Sequence, residues 1–169
     1  MAAAGQSRRR SGNGSALHAR SDLGTGCQHS AACLDREVTR QTLHAVALIV
    51  PDYDQAIAFY CGKLGWSLAE DVDQGHKRWV RILPPGSSVG GLILARATTP
   101  QQRAAIGAQF GGRVGLFLTT DDFQRDYEEM LSQGIIFEEQ PRQEPYGTVA
   151  VWRDPFGNRW DLLELKSAQ

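Results

Sequence analysis

The chain's most informative segment reads Arg153-Asp154-Pro155-Phe156-Gly157-Asn158-Arg159-Trp160-Asp161-Leu162. β-forming residues flank its centre, over 148–152 and 160–165, and predict two strands. Pro155 presets φ in a turn, Asp154 can bond to the turn's own amides, and Gly157 supplies a positive φ. The segment therefore predicts a β-hairpin, with a carboxylate, Asp161, in the strand that leaves the turn.

Length and composition set the broad class. The chain has 169 residues, of which 41% are hydrophobic, and this suits one domain with a sizeable core. Its net charge of −1 argues against nucleic-acid binding, and no apolar run approaches the roughly 20 residues of a membrane span. Three cysteines make no disulfide framework. We therefore expect a cytoplasmic protein with neither nucleic-acid nor membrane partners.

The N-terminal segment differs from the rest of the chain. Residues 1–41 combine arginines with Gly, Ser and Ala and show no apolar periodicity, which predicts a disordered basic tail. A transit peptide is the alternative, although glycines interrupt the amphipathic helix that such a peptide needs. Cys27, His29 and Cys33 match no standard zinc spacing and lack a fourth ligand, so we interpret these cysteines as free thiols.

From residue 42 onwards, one order of elements occurs twice. In each copy an apolar strand leads to a capping aspartate, a helix, a glycine and three further strands. Asp52 and Gly65 of the first copy align with Asp122 and Gly134 of the second. The predicted strands are 43–50, 66–72, 78–83, 91–97, 113–119, 135–138, 148–153 and 159–165. A short helix is predicted near 101–106.

The repeat predicts an α+β fold made of two βαβββ modules. The modules cover 42–97 and 113–166, a linker covers 98–112, and together they form a domain over 42–169. Each helix should cover one face of its sheet, so that paired modules form a curved mixed sheet with a central cleft. A cleft between modules is a common small-molecule site.

These features resemble the vicinal oxygen chelate superfamily of glyoxalases, bleomycin-resistance proteins and extradiol dioxygenases. The resemblance rests on the paired modules, on the Pro51-Asp52 entry to a helix with Phe59-Tyr60 and Leu64-Gly65, and on the 154–158 hairpin. It runs from about 43 to 165. It implies a divalent metal in the cleft, held by His, Gln or Glu from the first and fourth strands of each module and acting as a Lewis acid.

Carried over to this chain, the ligand positions of the superfamily fall on Ala45, Ile93, Gly115 and Asp161. Only Asp161 can bind a cation. His44 is one residue out of place, and a one-residue shift turns a strand side chain to the other face. Glu164 is out of phase with Asp161 in the same way. We therefore predict no metal and no cofactor, with a divalent metal at a displaced site as the alternative.

Alternation along the strands predicts a mostly small and apolar cleft floor. The predicted site comprises Ala45, Ile93, Gly115, Phe117, Thr119, Arg159 and Asp161, with Trp79, Trp152 and Tyr146 as walls. Such a surface suits an apolar or aromatic ligand with one cationic or hydrogen-bonding group. Asp161 needs a partner on this floor, and Arg159, two residues away on the same face, is the expected one.

Two functions stay open at this point. The first is a metal-independent binding protein of the bleomycin-resistance type that sequesters a small molecule. The second is a lyase, isomerase or dioxygenase of the same superfamily with a displaced metal site, so enzymatic activity is undecided. We expect a homodimer in either case. The resemblance does not decide whether the modules pair within one chain or between two.

Overall fold

A computed structural model describes residues 41–166. Residues 1–40 of the predicted N-terminal tail, with Cys27, His29 and Cys33, lie outside this range. The strands are β1 Val46–Val50, β2 Ser67–Asp73, β3 Arg78–Leu83, β4 Leu92–Arg96, β5 Leu116–Thr119, β6 Ile136–Phe137, β7 Arg142–Glu144, β8 Gly147–Arg153 and β9 Arg159–Leu165. The helices are α1 Tyr53–Tyr60, α2 Pro100–Ala105 and α3 Phe123–Ser132. None of them is long and apolar enough to span a membrane.

Two mixed sheets repeat one strand order. Sheet 1 runs β1-β4-β3-β2, and sheet 2 runs β5-β9-β8-β6, with β7 also pairing with β8. The first strand of each module lies parallel to the last one, since β1 pairs with β4 and β5 with β9. The α+β fold class and the paired modules are confirmed.

Both module helices begin where the sequence predicts. The Asp52 side chain accepts hydrogen bonds from the amides of Asp54 (2.9 Å) and Gln55 (3.1 Å). Asp122 caps α3 by accepting from the Arg125 amide at 3.0 Å. Such caps satisfy amides that have no partner within the helix. The capping aspartates therefore fix equivalent helix starts in the two modules.

Helix α1 joins the two modules in one core. It packs on β3 and β4, and its Phe59 and Tyr60 rings come within 6.5 Å of Trp152 and 6.0 Å of Trp160, respectively, between ring centroids. The two tryptophans stack at 5.0 Å. Trp152 is 0% exposed in this core, so the prediction that it lines the cleft is wrong. Its register opposite Trp160 turns it to the helix side of sheet 2.

Each sheet turns its other face away from this core, and we call these the open faces, although Val149, Val151 and Leu163 on that face of sheet 2 are themselves buried. The open face of sheet 1 carries Ala47, Ile49, Glu70, Val72, Trp79, Arg81, Ile93 and Ala95. The open face of sheet 2 carries Phe117, Thr119, Ile136, Val149, Val151, Arg153, Arg159, Asp161 and Leu163. The predicted floor residues Ile93, Phe117, Thr119, Arg159 and Asp161 are therefore divided between two sheets.

Asp154 organises the hairpin between β8 and β9. Its carboxylate accepts hydrogen bonds from the amides of Phe156 (3.0 Å) and Asn158 (2.9 Å) and from the Asn158 side-chain amide (2.7 Å). It also accepts a 2.6 Å bond from the Tyr60 hydroxyl of α1. The predicted turn is confirmed, and the same carboxylate connects the second module to the helix of the first.

The linker between the modules is fixed on both of them. Gln109 bonds to β1 through its side chain, accepting from the Ile49 amide (2.9 Å) and donating to the Ala47 carbonyl (2.7 Å). Gly107, with φ of 70°, lies so close to the hairpin that a Cβ there would be 2.3 Å from the Phe156 carbonyl oxygen. The linker thus spans the edge of sheet 1 and the turn of sheet 2.

Candidate functional site

Asp161 is the least satisfied charged group of the open faces. It lies on β9 between Phe117 and Val151 and is 7% exposed, and its Oδ1 atom has no hydrogen-bond partner among residues 41–166. Burial raises the pKa of the Asp161 carboxyl, although Arg142 and Arg159 act in the opposite direction. Buried polar atoms are nearly always paired, so this carboxyl is suited to receive a group from a ligand.

Arg159, the expected partner of Asp161, binds another carboxylate. Its Nη2 atom lies 2.7 Å from Glu138 Oε2, and its Nη1 atom donates to the Gly112 carbonyl at 3.1 Å. Arg153 also binds Glu138, at 2.5 Å, and the two guanidinium groups lower the Glu138 pKa, Arg159 most strongly. Glu138 directly follows β6 and takes both cations. The expected Arg159–Asp161 ion pair is therefore not formed.

Two aromatic side chains lie on the same face of sheet 2 as Asp161 or at its end. Phe117, its neighbour in the ladder with β5, is 62% exposed. Two residues earlier, Gly115 lies beneath the ring of Phe110, because a Cβ on Gly115 would be 2.0 Å from Phe110 Cγ. Sequence reasoning missed Phe110. The only available signal was an aromatic residue in a glycine-rich linker, close to a glycine in a predicted strand.

The open face of sheet 1 holds a paired polar group. Glu70 accepts hydrogen bonds from the Trp79 indole N–H and from Arg81 Nε, both at 2.7 Å, and these bonds lower the Glu70 pKa. Ile93 lies beside Arg81 in the ladder. Trp79, predicted as a wall, therefore lies on the open face of sheet 1 with its polar atom already bonded.

The remaining predicted residues lie at the junction and at a turn. Ala45, Gly115 and Phe117 border an apolar cavity of about 330 Å³ between the modules, together with Trp66 and Trp160. Tyr146 is exposed at the turn between β7 and β8, where its carbonyl accepts from the Lys166 amide. The structure thus brings Ala45 and Gly115 together but leaves Tyr146 at the rim.

A larger cavity of about 560 Å³ lies on the helix side, near Trp66 and α3. Thr119 is the one predicted residue on its border. Arg125, also on its border, binds Asp121 at 2.8 Å and Asp126 at 2.7 Å, so these charges satisfy one another. The open face of sheet 2, with its unpaired buried carboxyl, is the better candidate site.

The donor set at the carried-over metal positions is poor. Ala45, Ile93 and Gly115 have no donor side chain, and Phe110 fills the space above Gly115. Glu164 caps α3 by accepting from the Phe123 amide at 2.9 Å. Within residues 41–166, no three His, Cys, Asp or Glu side chains lie together as a metal site. Since Zn²⁺ and similar ions take three or four protein ligands, these residues do not fit such an ion.

His44 precedes β1 and is exposed. It contributes only weakly to lowering the Glu70 pKa, after the hydrogen bonds from Trp79 and Arg81. Among residues 41–166, no group of three His, Cys, Asp or Glu side chains includes His44 to form the displaced metal site.

Comparisons with known proteins agree on one family. Residues 42–162 match the profile of the Glyoxalase/Bleomycin resistance protein/Dioxygenase superfamily. An uncharacterized protein of Shewanella frigidimarina (strain NCIMB 400) is 52% identical over 132 residues, covering 77% of this chain and 98% of that protein.

Solved structures show the same similarity. UcmS2 is 29% identical with a TM-score of 0.65, covering 73% of this chain and 98% of its own. TnmS3, an antibiotic binding protein from Streptomyces sp. CB03234, is 26% identical with a TM-score of 0.62, covering 76% of this chain and 98% of its own.

Proposed function

The chain belongs to the Glyoxalase/Bleomycin resistance protein/Dioxygenase superfamily, and we propose that it is a small-molecule-binding protein of the bleomycin-resistance type. Its ligand binds on the open face of sheet 2 without a metal. The observation that carries this proposal is the buried Asp161 carboxyl, whose Oδ1 has no partner among the described residues. The antibiotic-binding description of the similar TnmS3 structure supports it.

The chemistry around Asp161 indicates the ligand class. The exposed Phe117 ring offers an apolar contact next to the carboxyl. A carboxylate accepts from N–H donors and attracts cations, and a flat apolar body gains from contact with an aromatic ring. The ligand is therefore a planar apolar molecule with an N–H donor or a positive charge.

The binding protein is a homodimer in this proposal. The open faces expose large apolar side chains, with Val72 51%, Phe117 62% and Ile136 70% accessible. In one chain the core lies on the opposite sides of both sheets, and contact with a second chain would bury these exposed residues. Sedimentation velocity at micromolar concentration should give a dimer. A monomer at all concentrations contradicts this part of the proposal.

Titration with proflavine, a planar aromatic cation with amino donors, tests the site. Asp161→Asn should weaken proflavine binding by about tenfold or more, because a bond to a charged group contributes about 1.5–3 kcal/mol. Glu128→Gln makes the same change of charge at an exposed position of α3. It is the matched control and should leave the affinity unchanged. Equal affinities of wild type and Asp161→Asn would overturn the proposal.

Metal analysis separates this function from the enzymatic alternative. Purified protein should hold no stoichiometric Zn, Ni, Fe or Mn. About one metal per chain, lost in His44→Ala, would instead support a metal-dependent lyase, isomerase or dioxygenase. The cytoplasmic location stays a prediction that cell fractionation can test.

A further inference from the structure

Phe110 occupies the space that a side chain at position 115 would need. An added Cβ on Gly115 would lie 2.0 Å from Cγ and 2.4 Å from both Cδ atoms of the Phe110 ring, so the ring lies directly over this glycine. Gly115 has the same strand phase as Phe117 and Asp161. The Phe110 ring therefore lies at the end of the open face of sheet 2, where it also packs against the hydrophobic core.

Two anchors fix the linker around this ring. Gln109, the preceding residue, is bonded to both Ala47 and Ile49 of β1. Gly107 packs against the Phe156 carbonyl of the hairpin. Both anchors precede Phe110, so the backbone that carries the ring is already fixed before a ligand binds, which favours affinity.

We propose that Phe110 is a specificity-determining residue that selects ligands with an aromatic ring, and this rests on the proposed function of the Asp161 face. Gly115 and Phe117 are two residues apart, or about 6.6 Å along the strand. Phe117 in turn lies opposite Asp161. The Phe110 ring, the Phe117 ring and the carboxyl thus span a patch that matches a fused aromatic system with a donor at one end.

Proflavine binding to Phe110 variants tests the proposal. Phe110→Ala should weaken binding about tenfold. Phe110→Leu keeps an apolar side chain without the ring and should weaken it at least about threefold. Phe137→Leu, a partly buried phenylalanine that packs on Tyr127 at the helix side, is the control and should leave the affinity within twofold. A Phe110→Ala protein that melts earlier but binds proflavine as wild type does would overturn the proposal, since Phe110 would then only pack.

Asp161→Asn, measured in parallel, tells the two proposals apart. If Asp161→Asn weakens binding and the Phe110 variants do not, the selection by Phe110 is wrong and the site stands. If neither variant matters, or if wild type does not bind proflavine, both proposals fail.

A double-mutant cycle with Gly115→Ala checks the geometry independently of any ligand. Gly115 does not adopt the left-handed backbone, so alanine is compatible with its conformation. Gly115→Ala should lower the melting temperature in the wild-type background through its clash with the ring. In the Phe110→Ala background this loss should vanish. Equal losses in both backgrounds would show that the ring is not over Gly115 and would overturn the proposal.

Discussion

At the scale of single residues, a buried hydrogen bond from the Tyr60 hydroxyl to Asp154 joins the two modules. Burial and the neighbouring carboxylate raise the pKa of Tyr60 well above its usual value, so the hydroxyl stays a donor. Tyr60→Phe should reduce the free energy of unfolding by about 1–3 kcal/mol, because a buried carboxylate then loses a donor.

Urea unfolding measures this loss. Tyr53→Phe, on the same helix with its ring near Arg78 and Arg96, is the control and should change stability by less than about 0.5 kcal/mol. Equal effects of the two substitutions would contradict a special role for the Tyr60 hydroxyl.

Asp161 should make stability depend on pH. Its pKa is raised in the fold above the unfolded value of about 3.9, so ionisation is disfavoured in the folded state. Its destabilising effect is absent below the unfolded pKa and develops as pH rises through the raised folded pKa. Asp161→Asn should therefore gain stability over wild type at neutral pH, and the gain should shrink at about pH 3.5. Urea unfolding at both pH values checks this, and a pH-independent difference would contradict it.

At the scale of elements, the regular strands and helix starts could be predicted because their signals are local. Alternating burial and capping aspartates need only neighbouring residues. β7, with the sequence Arg-Gln-Glu, has no apolar alternation and was missed, since only its pairing with β8 makes it a strand. The anchoring of the linker was missed for a similar reason, because Gln109 bonds to β1 across 60 or more residues.

Two linker glycines allow a matched test of that anchoring. Gly107 and Gly111 both have positive φ, 70° and 63°, but only Gly107 has backbone atoms within contact of an added Cβ. Gly111→Ala should lower the free energy of unfolding by about 1 kcal/mol through the strained backbone alone. Gly107→Ala should lower the free energy of unfolding by at least about 1–2 kcal/mol more than this, because the hairpin must move to make room for the added methyl group. Thermal unfolding of both variants decides this, and equal losses would mean that the linker does not press on the hairpin.

At the scale of the whole molecule, the family match and the described core both lie after residue 40. A chain that begins at residue 39 should fold on its own. Its melting temperature should stay within about 2–6 °C of the full chain, corresponding to less than about 1 kcal/mol. Circular dichroism of the truncated and full chains measures this. An unfolded or insoluble truncated chain would contradict it.

The candidate site could be predicted only in part, because some of its contacts join residues far apart in the sequence. The sequence predicts which face of its strand Asp161 lies on. It also shows that the other carried-over metal-ligand positions have no side chain that can bind a metal. Arg159 pairs with Glu138 and not with Asp161 because β6 pairs with β8. No local sequence pattern predicts that strand pairing. Trp152 was misplaced because its aromatic ring suits a wall or a core equally, and only its contact with α1 decides.

The bonds between Gln109 and β1 bear on how this chain avoids open-ended growth from the edge of a sheet. β1 ends sheet 1, and an edge strand with free amide and carbonyl groups is a template for fibril growth. Gln109 occupies one such amide and one such carbonyl without adding a charge or a further strand. Gln109→Leu should keep the fold but leave both groups open, so thioflavin fluorescence and light scattering should rise on prolonged incubation where wild type stays clear. The Gln109 side chain would then be the group that prevents sheet 1 from extending into a filament by addition of strands.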